Sequence, residues 1–145
     1  MTHVPYRGDA PALADTMAGR VDLQIGGGAL LEQVRSGQVR GLAVTTAKRS
    51  RFVPELPTVA ESAVPSFDVS GWFAFFVPAR TPRVIVEKIH GDTAAAVGDP
   101  TVKARFDNVG ILAVGSTPDE LAALLKDETE KWSGVIKVAN IALDY

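Results

Sequence analysis

The chain has 145 residues, 46% of them hydrophobic and 22% charged, a size and balance that fit one ordinary globular domain able to bury a core. A formal charge of −2, with Lys and Arg scattered along the chain, argues against nucleic acid or an anionic membrane surface as partner. The absence of cysteine excludes disulfides and thiolate catalysis; there is no apolar run of the ~18 residues a membrane span needs, and no export signal at the start.

In chain order, residues 2–6 read as a short strand, Gly8 as a turn and Pro11 as the first position of a helix running to about Met17. Gly19 stops that helix, and residues 21–25 resume an apolar, extended run, completing a βαβ-like unit. Gly26, Gly27 and Gly28 then precede a second helix with Leu30, Leu31 and Val34 on one face, ended by Gly37 and followed by a strand over 42–46. Alternation of this kind predicts a parallel sheet with helices on its faces. Residues 47–66 read as a loop region holding a short helix near residues 59–62, and 67–77 as an extended aromatic stretch.

Beyond Pro82 a helix carries Ile85, Val86, Ile89, Thr93, Ala96 and Val97 on one stripe. Another starts at Asp99-Pro100 and stops at Gly110, and a short strand covers 111–114. The last helix opens with Thr117-Pro-Asp-Glu120, which has capping-box spacing, and carries Leu121, Leu124, Leu125, Trp132, Val135, Ile136 and Ala139 on one face, interrupted by Glu128.

Catalytic chemistry lacks parts: no Cys, only His3 and His90, and no serine in a glycine elbow. His90 reads as a surface histidine and His3 as structural, and no His/Asp/Glu group has metal-ligand spacing, so neither a metal nor a cofactor is expected. The glycines carry two readings. Gly8 and Gly26 to Gly28 place backbone N–H groups and positive helix ends at the carboxyl edge of neighbouring strands, which suits an anion such as a carboxylate. They also suit tight βα turns with no ligand at all. Trp72, Phe73, Phe75 and Phe76 read as core rather than as a stacking surface.

The strings "MTHVPYRGDAPAL", "GRVDL", "VRSGQVRGLAVTTAKRS", "LPTVAES", "GWFAFFVPARTP", "DPTVKARFDNVG" and "GSTPDELAALLKDETEKWSGVIK" resemble, in order and over essentially the whole chain, the C-terminal half of the Bug-type solute-binding receptors of tripartite tricarboxylate transporters. The resemblance implies an α/β fold built from parts of two periplasmic-binding-protein-like lobes of type II, a mixed sheet with flanking helices, truncated at the N-terminus. On that plan residues 1–67 are the later part of the second lobe, 68–77 the interlobe crossover, and 78–145 the return segment completing the first lobe. Met1 is then an internal position, and a signal peptide and a first-lobe glycine loop belong to the part outside this chain.

The function implied is capture of a small organic acid or amino-acid-like solute in the periplasm and delivery to membrane permease subunits, with no reaction catalysed. The ligand-facing loops fall on Tyr6, Arg7, Gly8, Asp9, Ala10 and Pro11, and on Gly26, Gly27 and Gly28. Two departures stand out: the family commonly carries a small or hydroxyl residue where Asp9 stands, and an aromatic and a polar residue where this chain has Gln24-Ile25-Gly26. A carboxylate at Asp9 competes with an anionic solute for the helix start. The alternative reading is a non-catalytic interaction or self-assembly module using the edge strand and the aromatic stretch; homo-oligomerisation through the edge beside residues 2–6 is an expectation of either. An enzyme with an anion site at the glycine edge is a third reading.

Overall fold

The computed structural model describes residues 1–141, so the last four positions of the 78–145 segment lie outside the described residues. The chain divides into two compact units: Met1–Phe73 with Lys103–Ala113, and Ala74–Val102 with the chain from Val114 onward.

In the first unit α1 (Asp9–Met17) ends where the glycine predicts. Gly19 N–H donates to the Thr16 carbonyl (3.1 Å) and Arg20 N–H to the Asp15 carbonyl (2.9 Å), with Gly19 at φ 70°. A β-carbon is costly at that angle, so glycine at this position closes the helix. The same pair of bonds closes α2 (Leu31–Arg35) at Gly37 and α5 (Pro100–Asn108) at Gly110. Pro11 is the third helical residue rather than the first, because Asp9 and Ala10 already belong to the helix. First-turn N–H groups have no intrahelical acceptor, so proline is tolerated at either place.

A 3₁₀ turn, Gly28–Leu30, runs into α2 and brings Leu31 into the interior. Val53 is the second buried hydrophobe among the described residues, and Thr58 is fully buried. Thr58 organises its surroundings. Its hydroxyl accepts from Glu61 N–H (3.0 Å) and its own N–H donates to Glu61 Oε2 (3.0 Å), the reciprocal cap that starts α3 (Val59–Ser62). On its other side Val44 pairs with Thr58 in parallel: Val44 N–H donates to the Pro57 carbonyl (2.9 Å) and Val59 N–H to the Val44 carbonyl (3.0 Å). Val69 N–H reaches the Thr45 carbonyl (2.9 Å), so residues 44–45 have chain on both sides.

The second unit is helical. α4 (Arg83–Gly98) is half-buried at Val86, Thr93 and Val97, as expected, and at His90 and Ala94, while Ile85, Ile89 and Ala96 of the expected stripe are exposed. His90 therefore sits on the packed side, not on the surface, and its Nε2 is buried without a hydrogen-bond partner among the described residues. α6 (Pro118–Ala139) opens with the predicted box: Thr117 Oγ1 accepts from Glu120 N–H (3.2 Å) and Glu120 Oε2 from Thr117 N–H (2.8 Å). Glu128, the interruption in its apolar stripe, accepts from the Trp132 indole (2.8 Å) and from Lys131 (2.6 Å), which satisfies the carboxylate.

The mixed sheet is the largest difference from expectation. Residues 2–6, 21–25, 67–77 and 111–114 are not helical, but among the described residues Val44 and Thr58 are the only paired strand positions. A helix closes its hydrogen bonds within itself, whereas a strand takes them from a neighbour. The aromatic stretch follows suit: Phe73 is 92% and Phe75 78% exposed, so these rings are surface and not core.

Candidate functional site

The first expected loop is built by a glycine in a conformation other residues avoid. Gly8, at φ 111° and ψ 175°, turns the chain into α1 and offers no side-chain cap. The N–H groups of Asp9 and Ala10 at the helix start have no acceptor among the described residues, and Pro11 has no N–H to offer. Arg7, Ala10 and Pro11 are exposed. Tyr6 is committed elsewhere: its hydroxyl donates to Asp15 Oδ2 (2.8 Å), and Arg20 donates to Asp15 Oδ1 (2.7 Å). The bond to the Asp15 carboxylate raises the Tyr6 phenol above its ordinary value, while the bonds from Arg20 and then Tyr6 lower Asp15.

The second loop is drawn onto the first. Asp9 Oδ2 accepts from Gly27 N–H at 3.1 Å, and the Gln24 side-chain amide donates to the Asp9 carbonyl at 3.3 Å. A β-carbon on Gly26 would stand 2.7 Å from Leu30 Cδ1 and 3.2 Å from Asp9 Oδ1, so glycine there lets the loops approach. Gly28 faces elsewhere: a β-carbon would lie 2.0 Å from the Val109 carbonyl oxygen, in the turn after α5. The residues predicted for the site are thus brought together at Gly8, Asp9, Gly26 and Gly27, while Gly28 serves packing and Tyr6 braces α1. Of the amides expected to be bare, Gly27 is already held by a carboxylate.

Two features were not foreseen from the sequence. Gln24 ties the loops through its side chain, and a cavity of about 770 Å³ is lined by Gly8 and Asp9 together with residues from 1–6 and 20–25, His3 among them. Among the described residues no group of His, Asp or Glu could hold a metal ion, and no helix is long and apolar enough to cross a membrane.

Residues 1–141 match the tripartite tricarboxylate transporter family receptor. The chain belongs to that receptor family. It is 41% identical to a protein of the tcbD-tcbE intergenic region of Pseudomonas sp. strain P51, over 94% of this chain and 41% of the relative. BugT of Bordetella pertussis is 35% identical over 92% of this chain and 41% of its own length. Among solved structures, Rpa4515 of R. palustris with adipate superposes with a TM-score of 0.87 at 36% identity, covering 98% of this chain and 48% of that one. The periplasmic binding protein BugD gives 0.84 at 32% identity, over 95% and 47%. The receptor family chain described here therefore spans somewhat under half the length of these relatives, and its fold is part of an α/β periplasmic-binding-protein fold.

Proposed function

We propose that this receptor-family chain forms part of a periplasmic solute-binding protein that captures a small carboxylate-bearing solute and passes it to a membrane permease, without catalysing a reaction. Residues 1–67 belong to one lobe, 68–77 to the crossover, and the segment from 78 onward returns to the other, except that Lys103–Ala113 pack in the first unit. The observation that carries this reading is the family match over residues 1–141, joined to solved relatives with adipate (Rpa4515) and with bound malate (MatC of Rhodopseudomonas palustris).

The chain's own contribution is the Tyr6 to Pro11 loop with Gly26 to Gly28 beside it. The free N–H groups of Asp9 and Ala10 and the exposed Arg7 guanidinium supply positive potential at a helix start. Asp9 opposes it, since its carboxylate fills the Gly27 amide that a solute carboxylate would take. The solute either uses the α1 amides alone or displaces Asp9 from Gly27.

Calorimetric titration of the full receptor with dicarboxylates, amino acids and aromatic acids tests this. Saturable binding is expected, abolished by Gly8→Val, because a β-branched residue cannot adopt φ 111°. Asp9→Ser is expected to tighten a dicarboxylate by about tenfold, the equivalent of ~1.4 kcal/mol. No binding to any class, or tighter binding of cationic solutes after Asp9→Ser, would overturn the reading. The exposed rings of Phe73 and Phe75 favour the interaction-module alternative, which predicts no solute binding but concentration-dependent association.

A further inference from the structure

We infer that Asp9 is the specificity-determining residue of the candidate site, and that it selects a zwitterionic solute, a carboxylate with an ammonium beside it, over a dicarboxylate. The inference rests on the solute reading above and names the class of solute that the Tyr6 to Pro11 loop takes.

The charged side chains of residues 1–20 sort into two kinds. Asp15 and Arg20 lie 2.7 Å apart and neutralise each other. Arg7 and Asp9 stand on either side of Gly8 and do not pair: Arg7 is exposed, and the side-chain bond that Asp9 makes goes to the second loop. The loop therefore offers both signs of charge at once, next to the free N–H groups of Asp9 and Ala10. A solute that carries both signs complements it, whereas a dianion sets a second negative charge beside Asp9.

Asp9 is held in place rather than loose on the surface. Its Oδ2 accepts from Gly27 N–H at 3.1 Å, the Gln24 side-chain amide donates to its carbonyl at 3.3 Å, and the residue is half-buried. Its Oδ1 lies over the second loop, 3.2 Å from where a β-carbon on Gly26 would stand, and accepts no hydrogen bond among the described residues. An ionised carboxylate only accepts and an ammonium only donates, with three N–H groups, so Oδ1 suits an ammonium and is left unmet by another carboxylate. Charge-assisted bonds are also about twice as strong as neutral ones. A dicarboxylate that takes the Gly27 N–H must first break the bond of this kind that Asp9 already makes there. A zwitterion leaves it standing: its carboxylate accepts from the α1 N–H groups and its ammonium donates to Oδ1. On the protein side, donor and acceptor both belong to Asp9, which matches the adjacent charges of an α-amino acid rather than charges at opposite ends of a longer solute.

The test is calorimetric titration of the full receptor with acids paired so that they differ in the ammonium alone: aspartate against succinate, leucine against 4-methylpentanoate, and phenylalanine against 3-phenylpropanoate, with adipate as a longer dicarboxylate. At least one amino acid is expected to bind, and to bind at least about tenfold tighter than its deaminated partner and than adipate. Asp9→Ser and Asp9→Asn are each expected to abolish that preference. Asparagine keeps an oxygen for the Gly27 N–H and removes the charge, so its effect separates the charge from the shape of the loop. The wild-type comparison stands even where a variant fails to fold. A deaminated acid or adipate bound as tightly as every amino acid, or a preference that survives Asp9→Asn, overturns the role of Asp9 and leaves the solute reading standing. So does adipate bound by Asp9→Ser when the wild type binds none of these acids. No acid bound by the wild type or by either variant removes the solute reading and this inference together.

Discussion

Residues 44–45 and residues 1–6 are both short apolar segments of the first unit, and they end in opposite conditions. The first has Pro57–Val59 bonded on one side and Val69 on the other, with Thr58 fully buried between sheet position and helix cap. The second has no backbone partner among the described residues and leaves Val4 half-exposed in the lining of a cavity. Residues 57–69 lie within 25 positions of residue 44 and are on this chain, so the pairing closes locally. One extended segment of the first unit is thus bonded to chain on both sides, and the other has no backbone partner among the described residues.

The sharpest way to break the closed region is at its few buried groups. Leu31→Ala truncates one of the two buried hydrophobes among the described residues and is expected to cost about 2–5 kcal/mol in urea unfolding of the first unit. Gly28→Ala drives a β-carbon into the Val109 carbonyl and is expected to cost about 1–3 kcal/mol, the turn after α5 moving away. Thr58→Ala leaves the Glu61 amide uncapped beside a fully buried position, a loss of about 1–2 kcal/mol.

Acid should act on both units. Glu61 and Glu120 are held below the ordinary carboxylate value chiefly by N–H bonds from their capping threonines, Asp99 by the N–H groups of Val102 and Thr101, and Asp15 by Arg20. A carboxyl whose folded value is depressed contributes stability above the unfolded value and loses it as pH falls through the folded one. Urea midpoints are therefore expected to hold from neutrality to about pH 5 and fall below about pH 4. The smallest effect belongs to residues 21–25: Ile25→Thr in the lone chain is expected to change stability by no more than about 0.5 kcal/mol, because Ile25 is 80% exposed. A loss above about 1 kcal/mol would show that Ile25 is packed after all.

What could be read from the sequence was what local bonds decide. The helix stops at Gly19, Gly37 and Gly110 and the box at Thr117-Glu120 each close within six residues, and each is where the sequence places it. The packed face of α4 was legible only in part: Val86, Thr93 and Val97 were read correctly, but Ile85 and Ile89 are equally apolar, and only the surroundings select His90 in their place. At the candidate site the positions of Gly8 and of the triple glycine were legible, but the Asp9 bond to Gly27 and the Gln24 bond back to Asp9 cross 18 and 15 residues and depend on how the loops fold together. Gly28 shows the limit most clearly, since its place in a glycine run suggested a ligand and its neighbour is the Val109 backbone.

That contact between Gly28 and Val109 joins stretches about 80 residues apart, as the Arg51–Asp107 pair joins stretches 56 apart, and sets an order of events during synthesis. The emerging chain can cap α1 and seat Thr58 early, but Leu31 stays partly wet until the far turn has left the ribosome. A nascent polypeptide stalled before residue 110 should therefore be vulnerable to proteases around the triple glycine while its later loops are already resistant.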